Sequence, residues 1–198
     1  MARPRTFDEA RALEAAMHAF WVNGYEATST QDLCDATGLG RSSIYNTFSS
    51  KHDLFKRALA HYIDTMTGTQ VRILEDVSRP AVDRLRGLFD VIVEGEVAGR
   101  RGGRSMGCLT VNATVELGSR DPEAAKMLER DLRRRLASLR VVIETGQRAG
   151  ELTSTRDPES LARFVNAVIG GMRVSGQGGA DRATLESIAA TAMDALTH

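Results

Sequence analysis

Several side chains could carry out catalysis or bind a metal, but their spacing is typical of neither kind of site. The four histidines, His18, His52, His61 and His198, have no cysteine or carboxylate partners at the separations that metal ligands require. No serine lies in the pattern of a nucleophile elbow. The carboxylates fall on the polar faces of predicted helices. We therefore expect no catalytic residue, no metal and no cofactor, and a protein that is not an enzyme.

Cys108 has surroundings that predict chemical reactivity. It opens an apolar helix that the sequence predicts over 106–117. The Gly-rich loop just before this helix carries Arg100, Arg101 and Arg104. Helix amino termini and nearby cations lower the pKa of a thiol, and the thiolate is the reactive form. Cys108 could therefore be a modifiable sensor, the alternative being inert packing. Cys34, on the inner side of a short helix, is expected to be a small core residue.

The same predicted helix places polar side chains in an apolar run. Thr110, Asn112 and Thr114 lie among leucine, valine and alanine. Buried hydroxyls and amides need hydrogen-bond partners, which either a ligand or the neighbouring backbone could supply. Under the ligand hypothesis, the residues that we assign to a pocket are Met66, Phe89, Cys108 and Asn112.

The stretch from Ala27 to Phe55 is expected to form two short helices joined by a tight turn. Thr28 and Gln31 have the separation of a capping box. Gly38 can adopt the positive φ that ends a helix, and a second short helix then runs from Arg41 to about Phe48. Such a pair of helices is a helix-turn-helix, whose second helix enters the major groove of DNA.

The second helix is polar on the faces that do not pack inward. Ile44 and Phe48 share its inner face, because they are four residues apart. The other positions carry hydroxyl, amide and guanidinium groups that can bind base edges and phosphates. Lys51 begins the next helix, where the helix dipole disfavours a cation and an external anion is a reasonable partner. The expected DNA contacts are Thr28, Arg41, Ser42, Ser43, Tyr45, Asn46 and Lys51.

This region resembles the amino-terminal domain of the TetR family of transcriptional regulators. The resemblance is carried by Phe20, Gly24, Tyr25, Thr28, Ser29, Thr30, Leu33, Ala36, Gly38, Ile44, Tyr45, Phe48, Lys51, Leu54 and Phe55. It implies a ligand-responsive regulator, usually a repressor, that leaves a double-stranded DNA operator when a small-molecule inducer binds. Some TetR-like regulators that sense electrophiles or oxidants have a Gly-Cys-Leu stretch similar to residues 107–109 here.

The rest of the chain has helical periodicity nearly throughout, which predicts an all-α fold. After the long helix that starts near Lys51, helices are predicted over about 80–97, 106–117, 122–150, 158–175 and 182–196. The Asp-Pro-Glu runs at 121–123 and 157–159 are strong helix starts. By resemblance to TetR proteins we expect about nine helices. They would divide into a helix-turn-helix domain over 1–50 and a ligand-binding and dimerisation domain over 51–198.

The resemblance also implies a homodimer, in which the last two helices form a four-helix bundle with the partner's pair. Apolar and small residues that suit this seam are Phe164, Val168, Gly171, Leu185, Ala189 and Ala192. Gly170 and Gly171 lower helix stability, and the close approach of another helix would explain their presence. A symmetric dimer would place two recognition helices about 34–36 Å apart and so predicts a palindromic operator.

The charge balance leaves a second interpretation open. Lysine and arginine number 26, as do aspartate and glutamate, whereas DNA-binding domains are usually basic. A short arm, Arg3 and Arg5, could add a phosphate or minor-groove contact. The basic run over 133–135 follows acids by four residues, which indicates a salt-bridged solvated face. The alternative function is therefore a helical small-molecule or partner-binding protein without DNA binding.

The sequence contains no membrane or export signal that we recognise. No apolar run reaches the roughly 18 residues that a membrane helix needs. The basic start of the chain leads into Asp8 and Glu9 instead of an apolar segment. We therefore expect a cytoplasmic protein with no membrane partner.

Overall fold

The computed structural model describes residues 9–100, 102 and 105–197, and these ranges contain helices and no strand. The helices are α1 (Glu9–Asn23), α2 (Thr30–Thr37), α3 (Arg41–Phe48), α4 (Lys51–Tyr62), α5 (Gly68–Glu75), α6 (Ala81–Ala98), α7 (Leu109–Leu117), α8 (Pro122–Arg148), α9 (Pro158–Gln177) and α10 (Arg182–Thr197). A π-helical segment, Ile63–Thr67, joins α4 to α5 without a break. When this continuous run is taken as one helix, the described residues form nine helices, and the predicted all-α fold is confirmed.

The first core is built by α1, α2, α3 and the first turns of α4. Ile44 and Phe48 of α3 are both buried in it, as their spacing predicts. The ring of Phe20 meets that of Phe55 edge-on, with centroids 5.2 Å apart. The helix α4 contributes Leu54, Phe55, Ala58 and Leu59 to this core. The helix-turn-helix unit therefore needs the beginning of α4, and the division at 50/51 stays a prediction.

The start of α2 lies one residue later than the predicted capping box. Ser29 is the N-cap, and its hydroxyl accepts a hydrogen bond from the backbone N–H of Asp32. The Asp32 carboxylate accepts in turn from the backbone N–H of Ser29, at 2.7 Å. This reciprocal pair is a capping box with aspartate in the third position. Gly38 ends the helix with a φ of +70°, as predicted.

The second core lies among α5, α6, α8, α9 and α10. It is formed by aliphatic side chains and one aromatic ring, with Leu85, Phe89, Ile143, Val165 and Leu196 among its buried members. Both long helices of this unit begin as predicted. A capping aspartate accepts first-turn N–H groups at the start of α8 and of α9, and proline follows each cap.

The helix α7 packs on the first core, although it follows α6 in sequence. It begins at Leu109, later than predicted, and buries Leu109, Ala113 and Leu117 against α1 and α4. It also contacts α8, a helix of the second core, so α7 lies between the two cores. Over the described ranges, no helix has both the length and the apolarity needed to cross a bilayer.

Candidate DNA interface and ligand cavity

The outer face of α3 carries a set of exposed polar side chains. They are Arg41, Ser42, Ser43 and Asn46. Ile44 and Phe48 hold the opposite face of the helix against the first core. Hydroxyl, amide and guanidinium groups of this kind can bind both base edges and phosphates. Their accessibility fits the predicted role, which stays a prediction.

Tyr45 is half-buried at the junction of α2 and α3. Its hydroxyl oxygen lies 3.0 Å from the hydroxyl oxygen of Thr30, and the Arg41 guanidinium lies 5.8 Å from its ring centroid. The hydroxyl of Thr30 and the charge of Arg41 lower the pKa of Tyr45. Thr30 thus belongs to this surface, although the sequence reasoning did not include it. The acid three residues after Ser29, Asp32, is the signal that would have placed Thr30 at the start of α2.

Thr28 does not reach the surface, so its assignment as a DNA contact is wrong. Its side chain is 0% exposed, and its hydroxyl donates to the carbonyl oxygen of Gly24 at 2.5 Å. Gly24 has a φ of +82°, which lies in the left-handed region that favours glycine. The hydroxyl of Thr28 therefore stabilises the turn between α1 and α2 and positions the helix-turn-helix from inside.

Lys51 lies at the start of α4, and its ammonium is held by two uncharged groups. Its Nζ is 4.5 Å from the ring centroid of Tyr25 and 3.4 Å from the carbonyl oxygen of Glu26. A cation–π contact orients the ammonium without neutralising it. The charge can therefore still bind a phosphate. The other basic candidates, Arg3 and Arg5, lie outside the described residues.

A cavity of about 560 Å³ lies between the two cores. Its wall is mostly apolar and includes Val111, Val115, Leu128, Leu132 and Ile169. Its polar lining includes Tyr62, Thr67, Gln70, Cys108, Thr110, Lys126, Glu129, Arg135, Asn166 and Arg173. The lining comes from α4, α5, the π segment, α7, α8, α9 and the residues directly before and after α7. A cavity of this size and composition is typical of sites for small organic ligands.

Of the four residues predicted for the pocket, Cys108 alone lines this cavity. Phe89 is buried in the second core, and Met66 packs against the first core. Asn112 is occupied by the protein itself, since its side-chain oxygen accepts from Gln177 at 3.0 Å. These three assignments are therefore wrong. The sequence left open whether a ligand or the protein supplies the hydrogen-bond partners of Asn112, and in the structure the protein supplies them.

The Cys108 thiol is buried beside a cation, but not the predicted one. Burial by itself raises the pKa of the thiol, but the charge of Arg173 on α9 and the hydroxyls of Thr110 and Tyr62 outweigh it and lower the pKa. The Sγ atom lies 3.1 Å from the Thr110 hydroxyl oxygen. Arg100 of the preceding loop instead donates to the carbonyl oxygen of Ala180. Arg101 and Arg104 lie outside the described residues.

Arg173 is itself fixed by a buried ion pair. Its Nη1 lies 2.7 Å from a carboxylate oxygen of Glu96 on α6, and both side chains are almost fully buried. Ser105 donates its hydroxyl hydrogen to the other carboxylate oxygen. Because the pair is buried, removing either partner would leave an uncompensated charge. Arg173 is therefore a fixed cation next to the thiol.

A side chain of α7, the helix that lines the cavity, accepts hydrogen bonds from the backbone of the helix-turn-helix unit. The carboxylate of Glu116 accepts N–H bonds from Tyr25 at 2.9 Å and from Glu26 at 2.7 Å. These amides belong to the turn before α2. A Cβ placed on Gly24 would lie 3.0 Å from the same carboxylate. Glycine is therefore favoured at this position both by its positive φ and by the close approach of Glu116. Charge-assisted bonds of this kind are stronger than neutral ones.

We call the two bonds from Glu116 to Tyr25 and Glu26 the Glu116 clasp, and two further contacts reinforce it. The indole Nε1 of Trp21 on α1 donates to the carbonyl oxygen of Gly107 at 3.2 Å. On the other side, Nε2 of His52 on α4 lies 2.6 Å from Oδ2 of Asp121, the N-cap of α8. The unit formed by α1, α2, α3 and the first turns of α4, which we call the DNA-facing unit, is thus bonded directly to both ends of the segment that carries α7.

The predicted dimer seam divides into exposed and buried residues. Phe164 is 41% exposed and Gly171 is also exposed, while Val168 and Ala189 are half-buried. Leu185 and Ala192 are buried in the protomer's own second core, so their assignment to a seam is wrong.

The outer face of α9 is open along its length. Val174 is 55% exposed, and it lies on the same side as Phe164 and Gly171 by helical spacing. No atom lies within 4 Å of the position that a Cβ would take on Gly170 or Gly171. This face therefore combines exposed apolar side chains with space for another helix.

Among the described residues, no three His, Cys, Asp or Glu side chains lie close enough together to hold a metal ion.

Comparison with known proteins shows a match at both ends of the chain. Residues 12–58 match the family described as bacterial regulatory proteins of the tetR family. Residues 81–192, more than half of the chain, match the tetracyclin repressor-like C-terminal domain.

Relatives match over nearly the full length. The HTH-type transcriptional repressor ComR of Escherichia coli (strain K12) is 31% identical, covering 96% of this chain and 90% of its own. The uncharacterized HTH-type transcriptional regulator YezE of Bacillus subtilis (strain 168) is 32% identical over 84% of each protein. A solved structure of a cysteine mutant of the TetR family regulator CifR, complexed with 26 bp double-strand operator DNA, is 29% identical. It has a TM-score of 0.83 and covers 98% of this chain and 100% of the solved one.

These relatives are named as transcriptional regulators, and both family matches and structural likeness extend over the helix-turn-helix and the helices that follow it. The chain therefore belongs to the TetR family of DNA-binding transcriptional regulators.

Proposed function

We propose that this regulator is a homodimeric repressor that leaves a palindromic operator when a small molecule occupies the cavity. The observation that carries the proposal is the position of the cavity. Its wall includes Tyr62 at the end of α4 and Thr114 and Val115 on α7, next to Glu116. The same helices hold the DNA-facing unit, α4 through its core residues and α7 through the Glu116 clasp. A ligand that moves either helix thus acts directly on the position of α3.

The coupling follows from linkage. A ligand changes operator affinity only if it binds one arrangement of the two units better than the other. The DNA-facing unit is bonded to α7 by Glu116, to the segment just before α7 by Trp21 and to the start of α8 by His52. These contacts make the orientation of α3 depend on the cavity helices.

The relatives support DNA as the partner and repression as the effect on transcription. ComR of Escherichia coli is named a repressor, and CifR was solved with double-strand operator DNA. For this chain we infer a double-stranded operator bound in the cytoplasm, where a bacterial-type regulator meets its DNA. The open face of α9, with Phe164 and Val174, is proposed as the dimer seam together with α10. A pair of recognition helices would then read two half-sites one helical turn apart.

Modification of Cys108 is a second proposed trigger. The thiol lines the cavity and lies beside the fixed charge of Arg173, which favours the reactive thiolate. A reagent that enters the cavity reaches the sulfur from the inside. Covalent attachment there would occupy the same space as a ligand, so both triggers would act on the same helices.

DNA selection with the purified protein, followed by titration of the recovered site at several salt concentrations, tests this proposal. A palindromic site whose affinity falls steeply with salt supports a dimeric repressor that neutralises phosphates. Recovery of no consensus at low salt would instead favour the alternative, a helical small-molecule or partner-binding protein without DNA binding. The first 55 residues contain seven aspartates or glutamates and five lysines or arginines, and this acidic balance is the observation that keeps the alternative.

A further inference from the structure

The cavity is elongated along α8. The lining residues of α8 recur at helical spacing from Lys126 to Arg135, a separation of nine residues or about 13.5 Å along the helix axis. Because α7 ends shortly before α8 begins, the last lining residues of α7 lie at the Lys126 end. Val115 is 84% exposed there, and the other exposed lining residues are Thr114, Gly118, Lys126 and Glu129. We call this the open end of the cavity.

The opposite end, which we call the inner end, is covered by protein. Gln70 of α5, Arg135 of α8 and Asn166 of α9 line it. The same three residues border a second, smaller cavity, which shows that they lie together. Thr67, one helical turn before Gln70, completes this end. None of these four side chains is exposed, so the cavity meets solvent mainly beside Lys126.

Lys126 supplies the uncompensated charge of the cavity wall. The wall contains three cations and one carboxylate. All but Lys126 have partners, in the ion pairs Arg135–Asp131, Arg173–Glu96 and Glu129–Arg133. No carboxylate of the described residues forms an ion pair with Lys126. An anion bound at the open end would therefore meet a free ammonium.

Thr67 supplies a free hydroxyl at the inner end. Its side chain is 3% exposed and makes no hydrogen bond with a described residue. The hydroxyls of Thr65 and Thr69, by contrast, each donate to the carbonyl oxygen four residues earlier, at 2.8 Å. The corresponding carbonyl for Thr67, that of Ile63, accepts the N–H of Gly68 in the π segment. The Thr67 oxygen is not sealed off by protein atoms and borders the cavity. Because an unpaired interior hydroxyl is costly, a hydrogen-bonding ligand group would be favoured beside it.

From these observations we infer that the cavity binds an elongated organic acid with an apolar middle and a hydroxyl group at its far end. The carboxylate pairs with Lys126 at the open end, and the hydroxyl bonds to Thr67 at the inner end. The apolar middle packs on Leu128, Leu132 and Ile169. This inference rests on the proposed function and names the ligand class for the same site.

Charge favours this orientation of the ligand over the reverse one. At the inner end, the Asp131 carboxylate already pairs with Arg135 and would repel a second carboxylate. At the open end, water can still hydrate the ligand's carboxylate, so placing it there costs little. Cys108 lies before the start of α7, whereas Lys126 lies near the end of that helix. The ligand's carboxylate therefore stays away from the Cys108 sulfur.

Both ends of such a ligand contact elements that position the DNA-facing unit. Thr67 ends the π segment that continues α4, and π-helical segments are often found at functional sites. At the open end, Thr114 and Val115 directly precede Glu116, which forms the clasp. A ligand that spans the cavity therefore acts on α4 and α7 together.

Four probes of one chain length test the ligand class by calorimetric titration of the full-length protein. The first, ω-hydroxydecanoate, carries both groups, and decanoate lacks the hydroxyl. Decanediol, with a hydroxyl at each end, and ω-aminodecanol replace the carboxylate by a hydroxyl and by an ammonium. We expect ω-hydroxydecanoate to bind about fivefold more tightly than decanoate, as one hydrogen bond allows.

The charge of the probe should matter to a similar extent. We expect ω-hydroxydecanoate to bind about fivefold more tightly than decanediol, as one exposed ion pair allows, and this preference should shrink as salt is added. The amine should bind most weakly. Equal binding of the hydroxy acid and either decanoate or decanediol, tighter binding of the amine, or binding of none of the four would overturn the inference.

The variant Lys126→Met isolates the ammonium. It should bind ω-hydroxydecanoate no more tightly than decanediol. Arg130→Met is the matched control, because Arg130 is an exposed cation of α8 that does not line the cavity. It should keep the native preference for the acid. Equal preferences in the two variants would show that Lys126 does not bind the carboxylate.

The variant Thr67→Val isolates the hydroxyl with little change of shape. It should bind ω-hydroxydecanoate and decanoate alike. Thr65→Val removes a hydroxyl that does not line the cavity and should keep the preference for the hydroxy acid. Ligand-free Thr67→Val should unfold at the native temperature or a higher one, because an unpaired hydroxyl has been removed. A lower unfolding temperature, or a retained preference, would contradict a free hydroxyl at this position.

Operator titration of the ligand-free protein separates this inference from the proposed function, because calorimetry with the probes requires no DNA. Operator binding without the expected order of probe affinities would overturn the ligand class and leave the repressor standing. The expected order of probe affinities in a protein that binds no operator would overturn the repressor and leave the ligand class standing.

Discussion

The carboxylate of Glu116 on α7 accepts the backbone N–H of Tyr25 at 2.9 Å, across 91 positions of the chain. A side chain of the cavity wall helix thereby holds the turn that introduces the helix-turn-helix. The neighbouring N–H of Glu26 is bound by the other oxygen at 2.7 Å. No local pattern predicts a bond of this kind, because the amides that it satisfies belong to a distant turn.

Glu116→Ala should lower the free energy of unfolding by about 1–2 kcal/mol, because two N–H groups lose a charged acceptor. Hydrogen exchange at the amides of Tyr25 and Glu26 should become faster. Glu129→Ala is the matched control, because it removes an exposed ion pair within α8. It should lower the free energy of unfolding by only about 0.3–0.5 kcal/mol. Equal exchange rates in native protein and Glu116→Ala would show that the clasp does not restrain the turn.

Thr28 and Thr30 should respond differently to the same change. Thr28→Val removes the hydroxyl bond to Gly24 and should lower the free energy of unfolding by about 1 kcal/mol. Thr30→Val releases Tyr45 and should weaken operator binding severalfold with little effect on stability. Chemical unfolding and operator titration of both variants check this. A selective binding defect in Thr28→Val with normal stability would argue against its interior role.

Lys51→Gln should weaken binding to all DNA sequences alike, because its expected partner is a phosphate. The slope of log affinity against log salt should become shallower by about 1. Asn46→Ala, on the exposed face of α3, should instead change the order of preferred bases and leave the slope unchanged. Titrations on a panel of operator variants measure both quantities. An unchanged salt slope in Lys51→Gln would contradict a phosphate contact of this lysine.

The pH at which the alkylation rate of Cys108 is half-maximal should lie below about 8.5, the ordinary pKa of a free thiol. The reason is the lowered pKa of the thiol, in which the charge of Arg173 opposes the effect of burial. Iodoacetamide labelling followed by mass spectrometry measures the rate, and Cys108→Ser identifies the signal against labelling of Cys34. A midpoint at or above that of free cysteine would refute the activated thiol.

The same lowered pKa predicts the sign of a stability effect. The folded protein holds the Cys108 proton less tightly than the unfolded chain does, so deprotonation favours folding. The contribution is complete above the ordinary thiol pKa and is lost as the pH falls through the lower, folded-state value. Urea unfolding of native protein and Cys108→Ser across this pH range measures it. An excess stability of the native protein that grows toward low pH would have the wrong sign.

Val174→Glu should weaken the homodimer at least tenfold, because it places a charge on the open face of α9. Val77→Glu changes an even more exposed valine, at 86%, in the connection between α5 and α6, and should leave assembly unchanged. Sedimentation equilibrium compares the two. Dissociation by both variants, or by neither, would remove α9 from the proposed seam.

Short-range patterns in the sequence determined the elements of this protein. Gly38 ends α2, Ile44 and Phe48 face inward on α3, and the capping aspartates begin α8 and α9, all as predicted. The acids that precede the basic run by four residues form ion pairs with it, Arg133 with Glu129 and Arg135 with Asp131. The expected solvated face is found for the first pair only, because Asp131 is buried. Each of these features depends on residues within about one helical turn, so spacing is enough to predict it.

Tertiary structure alone decided which faces and which distant groups meet. The sequence could identify Leu185 and Phe164 as apolar, but only packing places one in the protomer core and the other at the surface. The cation beside Cys108 comes from α9 instead of the adjacent loop, because helix packing brings Arg173 there. The meeting of the Tyr62 hydroxyl with the Cys108 thiol is likewise visible only once the helices are packed. Periodicity gives the direction of a side chain on its own helix, whereas its partner depends on how the helices pack.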